Sequence, residues 1–453
     1  MARFENSPVR NRSMNSIVKS VLLALLVFLA SFSVPVASAD DDVATVFAGR
    51  WDCQLASPGG PIRFSLDLFD GANAANSGGQ AWTGYFLNGD ERIKIPKVTL
   101  VDNVLTLDID HYDSRIEARY DKVKQVWFGQ WKKRRGPNQS VDMKFYADRP
   151  KVEELAWGLL VDRKTGEHVD VTPIREAREP FLGKWVVRFN GSEDPAVAKF
   201  WSRASWALPI GATFLTTTGD YRYLNGEVID GQLTVSCFDG AHAFLFKAKL
   251  QEDGTLLGDF WSSNTWHQRW TATRDKDAML PDALKQTEWD DAVDWGRLSF
   301  PDLDGKPTRL DDSKFAGKAR MVYLFGSWCP NCHDAAGYFS TLQKKYGPRG
   351  LSILGLAFEL TGDFSRDSEQ VKIYLKRHKA NYPVLVAGLS DKEIASKELP
   401  FLDRVRSYPT TLFLDRDGKI RAVYTGFSGP ATGDAHVELK TKFENLIEEL
   451  LQE

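Results

Sequence analysis

Cysteine, methionine and histidine are scarce in this chain, with four, five and seven residues in 453. Apart from His333 the histidines are scattered along the sequence, so no metal site is suggested and no cofactor is expected. There is no excess of either charge, 58 Lys and Arg standing against 61 Asp and Glu with no long block of one sign. A nucleic-acid partner is therefore not implied. Long hydrophobic runs are missing except for one near the N-terminus, and no cysteine follows it, which excludes a lipid-modified N-terminal cysteine. What the chain does have is aromatic and apolar: 12% aromatic and 43% hydrophobic residues describe an ordered protein long enough for two or three domains.

Arg10, Arg12 and Lys19 precede an apolar run from Val21 to Phe32, followed by Pro35 and Ala37-Ser38-Ala39 before Asp40. This is the pattern of a secretory signal peptide over residues 1–39, cleaved after Ala39. Left uncleaved, the uncharged stretch from Ser20 to Ala39 is just long enough to span a bilayer and act as an anchor; Pro35 and the small-residue site favour cleavage. The expected location is periplasmic or secreted.

Two of the four cysteines lie in Trp328-Cys329-Pro330-Asn331-Cys332-His333. The apolar segment from Met321 to Phe325 before them reads as a buried strand, and a helical pattern follows. A helix leaves its first N–H groups unpaired and its dipole positive at that end, which stabilises a thiolate on Cys329. Cys329 is thus the expected attacking thiol, and Cys332, nearly one turn on, the resolving thiol. Outside the cytoplasm a reducing function would need electrons delivered across a membrane. Two other readings stay open. Cys-x-x-Cys-His also spells a c-type haem attachment motif, but the methionines lie at 1, 14, 143, 279 and 321, so a second axial ligand would be a histidine or a Met from an earlier domain. The pair could also be a static structural disulfide.

Residues 40–275 are mainly β. Short alternating segments such as Phe64 to Leu68 and Leu105 to Ile109 are separated by Gly, Asn and Asp turns. The pattern repeats. Phe47-Ala48-Gly49-Arg50-Trp51 recurs as Phe181-Leu182-Gly183-Lys184-Trp185, Leu105-Thr106-Leu107 as Leu233-Thr234-Val235, and Gly129-Gln130-Trp131 as Gly258-Asp259-Phe260. Three matches in one order imply two copies, 40–150 and 180–275, joined by a partly helical linker over 151–179. Each copy is expected to open on a Gly-x-Trp strand and to close on a Gly-x-aromatic strand. Two small barrels or curved sheets, or two halves of one larger barrel, satisfy this. Eleven of the fourteen tryptophans fall between 51 and 270; a sugar or peptide platform is one use for them, and core packing is the better reading. Cys53 and Cys237 alternate with apolar residues and should face cores; a disulfide between them stays open.

A connector over 276–296 leads to residues 297–453. There a hairpin turns at Asp304-Gly305, and strands are read at Met321 to Phe325, Ile353 to Phe358, Tyr382 to Val386, Thr410 to Leu414 and Ile420 to Tyr424. Helices follow Cys332, carry Val371, Tyr374, Leu375 and His378, and end the chain with Leu439, Phe443, Leu446, Ile447 and Leu450 on one stripe. This makes a mixed sheet flanked by helices.

Through Gly326-Ser327-Trp328-Cys329-Pro330-Asn331-Cys332, Tyr408-Pro409-Thr410-Thr411-Leu412-Phe413-Leu414-Asp415 with Gly418, and Gly426, the last third of the chain resembles the thioredoxin fold, in particular the exported thiol-disulfide oxidoreductases of the TlpA/ResA type. The resemblance implies a cis Pro409 beside the cysteine pair, and a substrate groove formed by Trp328, Tyr408, Pro409 and Gly426, where an extended substrate binds as an added strand. The loop from Phe427 to Gly433 would lie beside it. Thioredoxin's buried Asp is replaced by Tyr323, and the Glu that some ResA-type proteins place after the second cysteine is Ala335. Glu359, ending the neighbouring strand, is then the candidate proton-transfer group, against a solvated strand-end acid. His333 is expected to act as a local charge tuning the thiol. The expected architecture is a tandem all-β repeat followed by an α/β thioredoxin-like domain. The expected function is an exported disulfide reductase acting on a disulfide-containing protein or small thiol and recharged by a membrane-linked or periplasmic electron partner. The alternatives are an oxidase or isomerase, or a ligand-binding β protein with an auxiliary redox domain.

Overall fold

The computed structural model describes residues 46–71, 82–154, 160–203, 210–315 and 317–452; the leader expected over 1–39 lies outside them. The described residues from Ala48 onward belong to one compact unit, and among the described residues no helix is long and apolar enough to cross a membrane.

The first sheet contains β1 (Gly49–Ser57), β2 (Gly60–Asp70), β3 (Trp82–Asn88), β4 (Glu91–Lys94), β5 (Lys97–Val101), β6 (Val104–Ile109), β7 (Ser114–Asp121), β8 (Val126–Gly136) and β9 (Gln139–Asp148). Its order is β2-β1-β9-β8-β7-β6-β5-β3-β4, and a further β2–β3 pairing closes it into a barrel with β4 hung on β3. Closure leaves the barrel strands no free edge. Alternation places Trp51, Cys53 and Leu55 of β1 inward. A hairpin of β10 (Val152–Glu154) and β11 (Leu160–Asp162) and the helix α1 (Thr172–Arg178) lead on.

The second sheet contains β12 (Gly183–Phe189), β13 (Ala196–Ser202), β14 (Ile210–Thr216), β15 (Gly219–Asp220), β16 (Leu224–Ile229), β17 (Gln232–Phe238), β18 (Ala243–Leu250), β19 (Leu256–Ser262) and β20 (Trp266–Arg274). Its order, β13-β12-β20-β19-β18-β17-β16-β14-β15 with a β13–β14 closure, reproduces the first strand for strand. The three repeated motifs fall on equivalent strands: β1 and β12, β6 and β17, β8 and β19. The two copies are separate barrels, not halves of one. The expectation that each closes on its Gly-x-aromatic strand is corrected, because β9 and β20 follow and pair back to β1 and β12.

The motifs have steric causes. A Cβ on Gly129 would lie 2.0 Å from the carbonyl oxygen of Glu117, and one on Gly258 would lie 2.3 Å from the Trp270 ring. In the Gly-x-Trp motif an arginine from the end of the sheet covers the indole: Arg149 lies 3.9 Å from the Trp51 ring centre and Arg274 lies 4.2 Å from that of Trp185. Among the described residues, six tryptophans of the barrels are buried, whereas Trp266 is 57% exposed. Cys53 and Cys237 are buried and free, not bonded to each other.

The last third pairs β21 (Ser299–Pro301) with β22 (Pro307–Arg309) and then forms a five-stranded sheet from β23 (Ala319–Phe325), β24 (Leu351–Glu359), β25 (Val384–Leu389), β26 (Thr410–Leu414) and β27 (Ile420–Thr425) in the order β25-β24-β23-β26-β27. β24 runs parallel to β23 and β25, while β26 and β27 run antiparallel. The helices are α2 (Pro330–Tyr346), α3 (Phe364–His378), α4 (Lys392–Glu398) and α5 (Asp434–Gln452), and α5 buries Leu439, Phe443, Ile447 and Leu450. The connector packs on this sheet, Thr287 bonding Thr425 hydroxyl to hydroxyl at 2.7 Å.

Trp185 is fully buried and its indole N–H donates to the Phe181 carbonyl at 2.9 Å. Trp185→Ala should destabilise the second barrel by about 3–5 kcal/mol, whereas Trp266→Ala should change stability by less than about 0.5 kcal/mol. Thermal melts followed by circular dichroism compare the two.

Candidate active site

β23 is buried along its whole length and delivers the chain to the N-terminus of α2. Cys329 is the N-cap, its sulfur accepting the Cys332 N–H at 3.3 Å, and Pro330 occupies the first turn, where no donor is missed. Cys332 is fully buried and Cys329 is 6% exposed. The Cys329 thiol donates to the carbonyl of Tyr408 at 3.4 Å, and the Tyr408–Pro409 peptide bond is cis. The Trp328 indole donates to the Phe358 carbonyl at 2.9 Å and meets the Tyr408 ring edge-on. Gly426 donates its N–H to the Pro409 carbonyl at 3.0 Å. Cys329, Cys332, Trp328, Tyr408, Pro409 and Gly426 are thus brought together from three segments.

Glu359 reaches the loop before the cysteines, not the thiols themselves. Its carboxyl oxygens accept the Ser327 N–H at 2.8 Å and hydroxyl at 2.6 Å. At 1% exposure it is no solvated strand-end acid, and burial pushes its pKa up to about 8. Burial also raises the Cys332 thiol well above its ordinary value, with the nearby Cys329 and the negative charge of Glu359 acting the same way.

The expectation of a charged His333 is corrected. The ring is buried, and burial holds its pKa well below the ordinary value, with His378 and His111 acting in the same direction, so it is neutral. One ring nitrogen bonds the Ser327 carbonyl and the other bonds His378, each at 2.7 Å. With both nitrogens engaged inside the protein, His333 has none to offer a haem iron. In place of thioredoxin's acid, Tyr323 bonds Tyr382 hydroxyl to hydroxyl at 3.0 Å, and Tyr374 donates to the Cys332 carbonyl at 2.8 Å.

Several residues at the site carried no sequence signal as site residues. Ser327 holds Glu359. His111 and Tyr112 of the first barrel pack on His333, with ring centres 5.4 and 4.6 Å away. Arg222 of the second barrel pairs with Glu91, Asp239 and Asp334, and an ion pair joins Asp113 to Arg366. These contacts join residues far apart in the chain and leave no local pattern.

Residues 291–423 match the AhpC/TSA family. The chain is similar to the thiol-disulfide oxidoreductase ResA of Bacillus thuringiensis subsp. konkukian, 30% identical over 119 residues, which cover 26% of this chain and 60% of that protein. It is similar to the thioredoxin-like protein YneN of Bacillus subtilis, 27% identical over 129 residues, covering 28% of this chain and 68% of that one. The chain therefore spans less than two thirds of the length of the ResA relative. Among solved structures, a thiol:disulfide interchange protein of the thioredoxin family from Chlorobium tepidum TLS aligns over 34% of this chain and 92% of its own, at 24% identity and a TM-score of 0.26.

The folded-state pKa of Glu359, about 8, lies above the 4.5 of an ordinary glutamate. The folded chain thus keeps a proton that the unfolded chain has released, and stability should fall as pH rises through this window and level off above about 8. Glu359→Gln should remove this fall, which is at most about 1.4 kcal/mol per pH unit. Asp334, raised to about 7 by burial, contributes a slope of the same sign that ends earlier. The difference between wild type and Glu359→Gln in urea unfolding across about pH 5 to 8 therefore isolates Glu359.

Proposed function

From the premise that the last third of the chain is a thioredoxin-like domain homologous to ResA thiol-disulfide oxidoreductases, we propose that this protein is an exported disulfide reductase. In this reading residues 1–39 direct export, 40–150 and 180–275 are the repeated β domains with 151–179 between them, and the redox domain occupies 297–453 after a connector. The observation that carries the reading is the position of Cys329: N-cap of α2, hydrogen-bonded to the Tyr408 carbonyl next to cis-Pro409, with Cys332 sealed behind it.

Cys329, as thiolate, attacks one sulfur of a partner disulfide. A mixed disulfide forms, and the displaced sulfur leaves as a thiolate and takes up a proton. Cys332 then loses its proton and attacks the Cys329 sulfur, releasing the second substrate thiol and closing the Cys329–Cys332 disulfide. The dithiol gives up two electrons and two protons, and the substrate gains them. Glu359 lies within electrostatic reach of Cys332 and serves as the proton reservoir. Trp328, Tyr408, Pro409 and Gly426 form the groove. A membrane-linked or periplasmic dithiol reduces the pair again. Burial keeps Cys332 a neutral thiol until the mixed disulfide forms.

Cys329→Ser should abolish disulfide turnover, and Cys332→Ala should accumulate a mixed disulfide with the partner. Equilibration against defined thiol buffers should give a potential near thioredoxin's, about −270 mV; a value near about −120 mV would instead make the protein an oxidase.

A further inference from the structure

The groove beside the dithiol is already filled. The turn from β14 to β15, Thr217 to Gly219 of the second barrel, lies across the segments that the proposed reading assigns to substrate. The Ser407 hydroxyl donates to the Thr218 carbonyl at 3.2 Å. A Cβ on Gly426 would lie 2.9 Å from the Thr217 carbonyl oxygen, so only a glycine admits the turn this closely. A Cβ on Gly219 would lie 2.0 Å from the side-chain nitrogen of Asn331, the residue between the two cysteines. Asp220 completes the contact, its carboxylate accepting the Gly429 N–H at 2.6 Å, in the loop beside the groove. Tyr408, Pro409 and Gly426 are buried, and Cys329 retains 6% exposure.

The contact is asymmetric between the two repeats in an informative way. The equivalent turn of the first barrel, between β3 and β4, packs on the second barrel: Asn88 bonds both the N–H and the carbonyl of Phe238, each at 2.9 Å. Each barrel thus applies the same turn to the next unit of the chain, and for the second barrel that unit is the redox domain at its groove. In the proposed reading an extended substrate pairs its backbone along this groove, and the carbonyls of Thr217 and Thr218 already lie against Gly426 and Ser407 there.

We propose that the Thr217–Asp220 turn is a built-in occupant of the substrate groove, which an extended polypeptide disulfide must displace before its sulfur reaches Cys329. The inference rests on the thiol-disulfide reading and adds that the β repeats set what the dithiol accepts. Docked, the dithiol is closed to polypeptide; with the turn withdrawn, the groove opens.

The rate at which iodoacetamide alkylates Cys329 in the full chain measures access without requiring turnover. Asp220→Ala removes the acceptor of Gly429, and Gly219→Ala sets a methyl group against Asn331. Each should raise the alkylation rate about tenfold or more, because the observed rate scales with the open fraction, and should speed reduction of a disulfide-bridged peptide in step. Equal alkylation rates in wild type and both variants, at unchanged near-ultraviolet circular dichroism, overturn the proposal. Faster alkylation without peptide reduction keeps the occupant and rejects the thiol-disulfide reading. If the variants do not fold, the unmutated chain decides by hydrogen–deuterium exchange: a bulky maleimide on Cys329 should remove the protection of residues 217–222, and retained protection overturns the proposal.

Discussion

The arrangement depends on one buried cation. Arg222, 8% exposed, lies 2.6 Å from Glu91 of the first barrel, 3.1 Å from Asp239 of its own barrel and 2.7 Å from Asp334 of α2. A buried charge without a partner costs several kcal/mol, so each of these groups holds the others in place. One guanidinium does not satisfy three carboxylates equally. Asp239 is held well below its ordinary range by His242 and Arg222, whereas burial pushes Asp334 up to about 7. The junction therefore joins all three parts of the chain beside the cysteine-bearing helix, and one of its acids titrates near neutrality.

Around this junction, duplication has been put to two uses. Both barrels keep the same closure, the same glycine at a close strand crossing and the same arginine over a tryptophan. Their outer surfaces have diverged. The first barrel offers His111, Tyr112 and Asp113 to α2 and α3, while the second offers Arg222 and the Thr217–Asp220 turn. The dithiol-bearing domain is thereby covered beside its cysteine pair.

Much of the fold was legible in the sequence, because periodicity and turn chemistry are local. The strand from Thr410 to Leu414 has its expected bounds, and the strand expected at Met321 to Phe325 lies within two residues of those of β23. The repeated Gly-x-Trp and Gly-x-aromatic motifs located equivalent strands, but not β9 and β20, whose alternation carries no shared motif. His333 was misread because an imidazole beside a thiol invites a charge, and only its burial against Tyr374, Tyr112 and two other histidines makes it neutral. Glu359 was placed in the right neighbourhood; that it holds Ser327 rather than a thiol follows from how β24 ends beside the loop.

Legible without the fold are the dithiol at a strand-to-helix junction, the x-Pro-Thr-Thr strand, and the duplicated β unit, since each is written in residues close together or repeated in order. The environment of that dithiol comes from long-range packing alone. The contacts that enclose it join residues 112 and 189 positions apart, Arg222 to Asp334 and Thr218 to Ser407. They arise from the docking of surfaces that are each solvent-facing within their own sheet, and the exposed polar residues of a docking face follow the same alternation as those of a face left in water.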